Sequence, residues 1–198
     1  PYFTLDLNYY WGELEVIGYH VVSIGLHLMT TFVVMILLYL MARRSYKRRV
    51  WRFEWLIIDN HWLLGVATGL LFLVHPLQTQ SVNYIVQRMV LITALFYFSS
   101  ILFYWLYRES KDRKVGWLWS IASVISAILA MHSKEIAITL PVVIVIIEYA
   151  FFSRSWIGVF RRWYLLLPWL ITILIIPAYM LEVRGLFIQG SQSASYAN

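Results

Sequence analysis

Cysteine is absent from the 198 residues, so neither a disulfide framework nor a thiolate metal site can be built from this chain. Charge is almost as scarce. Only 13% of residues are charged, against 61% hydrophobic and 18% aromatic, and the mean hydropathy is +0.70. A soluble domain of this length could not hide so much apolar surface, which marks an integral membrane protein. The net charge of +6 does not indicate nucleic acid, because the basic residues flank apolar runs. Anionic lipid headgroups are the better partner. The sequence also lacks a P-loop, a dinucleotide fingerprint, a nucleophile elbow and any Asp/Glu/His cluster with metal spacing. It shows no signal peptide, low-complexity tract or internal repeat. It starts at Pro1 without Met and closes on the polar run GSQSASYAN, so a piece of a longer chain is expected.

The residues that are present are ordered. Of the 16 Lys and Arg residues, 13 fall in three segments, Arg43 to Arg52, Arg108 to Lys114 and Arg154 to Arg162. Basic loops close to spans stay cytoplasmic. Six apolar runs alternate with them, at roughly 16–41, 62–74, 89–107, 115–131, 136–152 and 163–181. A span needs about 17–25 such residues, and the second run is short unless Trp55–Ile58 joins it. The fold class is therefore all-α, a polytopic transmembrane bundle of about six spans over 16–182. Residues 1–15 form an outer-face interfacial segment, and 183–198 begin an outer loop. Alternating the spans leaves Arg88, Lys134 and Arg184 on the outer side, against the charge rule.

Two outer segments carry most of the unusual polar residues. In HPLQTQSVNYIVQR (75–88), Pro76 ends the second helix and Thr79 is placed to cap the third. A helix from Thr79 puts Gln80, Tyr84, Gln87 and Arg88 within about 100° of one another. In HSKE (132–135), Lys134 sits beside Glu135 in a tight turn. Arg88 facing Lys134 makes an anion site of two cations, and at that depth the natural anions are lipid phosphates or pyrophosphates. Glu135 is then free to pair with either cation or to bind a substrate hydroxyl. His20 and His27, seven apart on the first span, share a face. His20 lies near the outer surface, and the deeper His27 suits core packing or an interhelix hydrogen bond. His75 and His132 are acid–base candidates on the outer face.

GYHVVSIGLHLMTTFVV (18–34), HPLQTQSVNYIVQR (75–88) and SKEIAITLPVVIVIIEY (133–149) together resemble membrane-embedded GT-C glycosyltransferases. The resemblance covers almost the whole chain and is to bacterial relatives of the transmembrane, tetratricopeptide-repeat O-mannosyltransferases. It implies an enzyme of the bacterial inner membrane, with basic loops cytoplasmic and its site on the periplasmic face. Such an enzyme passes a sugar from a polyprenyl-phosphate donor, with inversion, to a protein hydroxyl or another extracytoplasmic acceptor. The donor is a substrate, and neither cofactor nor metal is implied. Arg88 and Lys134 match positions that hold the lipid phosphate. His75, Gln78, Gln80, Tyr84, Glu135 and His20 are the candidates for the substrate pocket. Relatives often have Glu where this chain has Gln80. Their catalytic acid sits in a first outer loop, and Pro1-Tyr2-Phe3-Thr4 resembles the stretch immediately after that loop. The base is thus expected outside this sequence, with Asp6 the nearest stand-in. Two rivals stand beside the enzyme: a non-catalytic membrane subunit of a larger complex on the same scaffold, and a lipid-linked-sugar transporter. The transporter requires a polar path, yet Glu148 is the main polar exception in the inner halves of the spans.

Overall fold

The computed structural model describes residues 2–13, 15–48 and 60–177, and among these it contains helices and connecting turns with no strand. α1 (Tyr2–Gly12) leads through an elbow into α2 (Val16–Arg48). Next come α3 (His61–Val74), the short α4 (Gln78–Asn83), α5 (Arg88–Glu109), α6 (Arg113–Ser133), α7 (Leu140–Ile147), α8 (Trp156–Arg161) and α9 (Trp163–Thr172). The 3-10 turns Ile85–Gln87 and Glu135–Thr139 introduce α5 and α7, and a π-helical turn, Glu148–Ser153, extends α7.

Four stretches are long and apolar enough to cross a membrane: Val16–Ser45, Ile85–Glu109, Arg113–Ser133 and Glu135–Ser153. The second and sixth expected spans appear as the shorter apolar helices His61–Val74 and Trp163–Pro177. Trp55–Ile58, Leu181, Arg184 and the 183–198 segment lie outside the described residues. The chain is an all-α polytopic membrane helix bundle.

Close helix approach is written into small side chains. On α6, Gly116, Ser120, Ser123, Ala127 and Ala130 recur every three or four residues and are all buried. Such a line lets a neighbour's backbone come near where no water drives association. α5 fills it, antiparallel. Ser100 Oγ donates to the Ser123 carbonyl at 2.8 Å, and Ser123 Oγ donates back to the Ser100 carbonyl at 2.7 Å. From α9, Trp169 Nε1–H donates to Ser123 Oγ at 2.9 Å, tying a third helix to the pair. α3 meets α2 through Gly65 and Gly69, one turn apart. A Cβ on Gly65 would stand 3.0 Å from both the Met35 carbonyl oxygen and Tyr39 Cβ, and one on Gly69 would stand 3.1 Å from Met35 Cβ.

Helix directions follow from contacts between the helices. Tyr19 meets Arg88 and Arg44 meets Glu109, so α2 and α5 run the same way. Tyr97 meets Thr139 and Tyr104 meets Glu148, so α7 runs with them. α3 and α6 run against them. The bundle therefore has an Arg88 end and a Glu148 end.

The Glu148 end is built around one buried carboxylate, 2% exposed. Arg108 grips it with two bonds, Nε to Oε2 at 2.8 Å and a terminal nitrogen to Oε1 at 2.9 Å. The Tyr104 hydroxyl donates to Oε2 at 2.7 Å and Ser153 Oγ to Oε1 at 2.6 Å. The π turn makes the last bond possible by bringing residue i+5 back over the carboxylate. Beside it, Arg44 lies 4.0 Å over the Phe152 ring, donates to the Phe151 carbonyl and pairs with Glu109 at 3.2 Å. Tyr104, Trp105, Leu140 and Ile144 have no exposed surface, and Trp169 packs edge-on to Tyr104 at 5.0 Å.

Four variants test this packing in detergent unfolding. Gly65→Ala drives a methyl into the α2 backbone and costs about 1–3 kcal/mol. Gly25→Ala, where a Cβ meets nothing within 4 Å, is neutral or mildly stabilising. Arg108→Met strands the Glu148 carboxylate and costs about 3–5 kcal/mol. The double variant Arg108→Met/Glu148→Met regains most of that loss.

Candidate functional site

Antiparallel register carries the Ser100–Ser123 pairing towards the Arg88 end. Twelve residues from Ser100 back to Arg88 are about 18 Å of helical rise, and ten from Ser123 to the end of α6 at Ser133 are about 15 Å, with Lys134 and Glu135 just beyond. Arg88 is thereby level with Lys134 and Glu135. α3 brings His75 to the same end, since its Leu73 carbonyl meets His27 of α2. The polar residues singled out in the sequence thus share one end of the bundle, but they play different parts there.

Arg88 is not an open cation. It is 1% exposed. One terminal nitrogen donates to the Thr4 carbonyl at 3.0 Å and to Asn8 Oδ1 at 2.8 Å, and the other donates to the Tyr19 carbonyl at 2.9 Å. Its guanidinium carbon lies 5.4 Å from the Tyr19 ring centroid. Among the described residues no carboxylate forms an ion pair with it, and Nε–H, also buried, has no acceptor. A charge at membrane depth costs about 2.5–3.5 kcal/mol on insertion scales, which three hydrogen bonds to neutral oxygens offset in part.

The polar stripe expected from helical spacing does not form. α4 stops at Asn83, Tyr84 is extended (φ −88°, ψ 118°), and α5 begins only at Arg88. Thr79 is not the cap either. Leu77 holds that position without a side-chain bond. The break turns Arg88 inward beneath α1 and α2, where acceptors wait, while Gln80 and Tyr84 remain exposed. A continuous helix would have carried all of them on one face.

The remaining candidates are more accessible. Lys134 is half-buried, and its extended backbone (φ −158°, ψ 143°) ends α6. Glu135 is exposed and His20 half-buried. His75 and Gln78 line an open groove of about 380 Å³ with Thr68, Leu71, Phe72 and Leu77. His75 Nδ1 accepts from the Leu77 N–H at 3.3 Å, so the neutral ring carries its proton on Nε2. His132 donates from Nδ1 to the Ile128 carbonyl at 2.9 Å. Asp6 is exposed. Two residues from both Thr4 and Asn8, it points about 180° away from the α1 face that meets Arg88. Among the described residues no three His, Asp or Glu converge as a metal site.

His27 meets the helix end that Pro76 creates. α3 stops at Val74, and the Leu77 N–H that would have served the Leu73 carbonyl turns to His75 instead. His27 Nε2–H fills the vacancy at 3.1 Å. Sequence reasoning passed over Thr4 and Asn8, which carry no charge and no motif. It also passed over Arg108 as the partner of Glu148, although a lone carboxylate in a span calls for a cation at the same depth.

The chain is 34% identical over 137 residues to the Protein O-mannosyl-transferase Tmtc1 of Drosophila melanogaster. The matched stretch is 69% of this chain and 13% of that protein, so the chain spans only a small part of its relative. No protein-family model and no solved structure matches it.

His27→Leu removes the donor to the Leu73 carbonyl and leaves a half-buried acceptor unserved, at a cost of about 1 kcal/mol. The unfolding midpoint in detergent falls accordingly, and His27→Gln, which restores a donor, recovers part of the loss.

Proposed function

We propose that this chain is the membrane-embedded part of a glycosyltransferase that moves a sugar from a polyprenyl-phosphate donor to a protein hydroxyl. The similarity to an O-mannosyl-transferase over 137 residues carries the reading. The gathering of Lys134, Glu135, His75 and Gln78 at one end of the bundle supports it. The acceptor oxygen attacks the anomeric carbon from the face opposite the lipid phosphate. The anomeric carbon–oxygen bond breaks, its electron pair leaves on the phosphate, and configuration inverts. A carboxylate takes the hydroxyl proton. Among the exposed acids at this end, Glu135 and the stand-in Asp6 are the candidates for that step.

Lys134 is the cation placed to meet the departing phosphate. Arg88, with its terminal nitrogens engaged by protein oxygens, belongs to the frame beneath the site. The groove at His75 and Gln78 takes a polar part of the donor. The site belongs on the extracytoplasmic face, opposite the basic segments. The transporter reading loses its main support, because the Glu148 carboxylate is held by Arg108, Tyr104 and Ser153.

The test is sugar transfer by the full-length protein from polyprenyl-phosphate mannose to a Ser/Thr peptide, paired with native mass spectrometry of retained lipid. Lys134→Ala is expected to lower turnover about 100- to 1,000-fold, the usual effect of removing one donor to a developing oxyanion. It also sheds the lipid phosphate. A folded wild type that neither transfers sugar nor retains the lipid overturns the enzyme reading in favour of a non-catalytic subunit.

A further inference from the structure

Arg88 occupies the place where an anion-binding cation was expected, yet its bonds point to a different task. We infer that Arg88 is the seat of α1, and that Asn8 is the positioning residue through which it holds this helix over the end of the bundle. For catalysis, this inference rests on the function proposed above.

The observations converge on α1. Two of the three Arg88 bonds end on it, at the Thr4 carbonyl and at Asn8 Oδ1, and the third ends at Tyr19 on the first turn of α2. One guanidinium therefore spans both sides of the α1–α2 elbow. The planar fork suits this, with one terminal nitrogen serving α1 and the other α2. A lysine, with a single nitrogen, cannot reach both sets. The elbow itself is closed from within. The Tyr19 hydroxyl donates to the Glu13 carbonyl at 3.0 Å, and Glu13 turns the chain in the left-handed region at φ 48°. The Asn8 amide nitrogen packs against the first turn of α2, at 3.6 Å from where a Cβ on Gly18 would stand.

α1 is open on its outer side. Its Thr4–Leu5–Asn8 face is partly covered, while Phe3 and Tyr10 are 73% and 82% exposed on the other side. A short helix with an aromatic outer face suits the membrane interface, where it slides easily unless pinned. Arg88 supplies the pin at the first residue of α5, directly beneath the end that collects Lys134, Glu135 and His75. Fixing α1 fixes whatever chain it carries into that end.

The experiment uses full-length protein in lipid nanodiscs, free of other reactive cysteines, with a spin label at Tyr10→Cys. Wild-type α1 is expected to give an immobilised spectrum. Arg88→Lys keeps the charge, frees the helix and raises label mobility. Asn8→Ala does the same while leaving the α2–α5 contacts of Arg88 intact, so it guards against a variant that merely misfolds. Asn8→Asp places a carboxylate on the guanidinium, and the label stays immobile. In transfer assays, Asn8→Ala lowers kcat at nearly constant donor KM, and Asn8→Asp restores it.

Unchanged label mobility in Arg88→Lys and Asn8→Ala overturns the inference. So does loss of retained lipid phosphate in Asn8→Asp, because neutralising Arg88 would then remove a ligand contact and not a seat. Label mobility needs no sugar transfer to be read. A protein without transferase activity therefore overturns the proposed function while leaving the seat of α1 to be judged on its own.

Discussion

A charge within hydrocarbon must find its partners inside the protein, and the architecture of this bundle depends on how two arginines on α5 meet that demand. Arg108 meets it with a carboxylate, and Glu148 is in turn completed by Tyr104 and Ser153. Arg88 meets it with neutral oxygens borrowed from two other helices. Every helix that either arginine touches is thereby fixed in height and rotation. α7 is aligned from one end of α5, and the α1–α2 elbow from the other.

The two ends differ in what they leave available. Around Glu148, the local charges are paired with one another or stacked on rings. Around Arg88, polar groups remain accessible: Lys134 is half-covered, Glu135 is exposed, and His75 faces an open groove. Chemistry at such a site needs a fixed frame behind a reachable surface. The serine seam between α5 and α6, continued to α9 by Trp169, is that frame.

Much of the fold is legible in the sequence, because span length and charge spacing are one-dimensional properties. Apolar runs located α2, α5 and α6, and alternating their directions put Arg88 and Lys134 at one end. Pro76 marked the end of α3 correctly. The break at Tyr84 was not legible, since helical spacing assumes continuity and the break exists to bury Arg88 beneath α1. Its partner Asn8 stayed hidden for a related reason: an amide in an interfacial helix has no signature until the docked face is known. α3 matches its expected run at 62–74, while the helix expected at 163–181 is followed only to Pro177, where the described residues end. Of the candidate site, the sequence grouped Arg88, Lys134, Glu135 and His75 at one end, while the bonds of Arg88 to Thr4, Asn8 and Tyr19 had no signature in it.

The separation of the two arginines has a mechanical consequence. Arg88 and Arg108 are 20 residues apart on one uninterrupted helix, about 30 Å of rise, close to the thickness of a bilayer's hydrocarbon core. α5 is thus a gauge of fixed length between two desolvated charges. A thicker or thinner bilayer cannot stretch it, so the mismatch must be taken up by whichever attachment yields first. A bidentate ion pair holds one end and hydrogen bonds to carbonyls and an amide hold the other, so the yielding falls at α1. The lipid thickness around this protein thereby becomes a variable that its outermost helix registers.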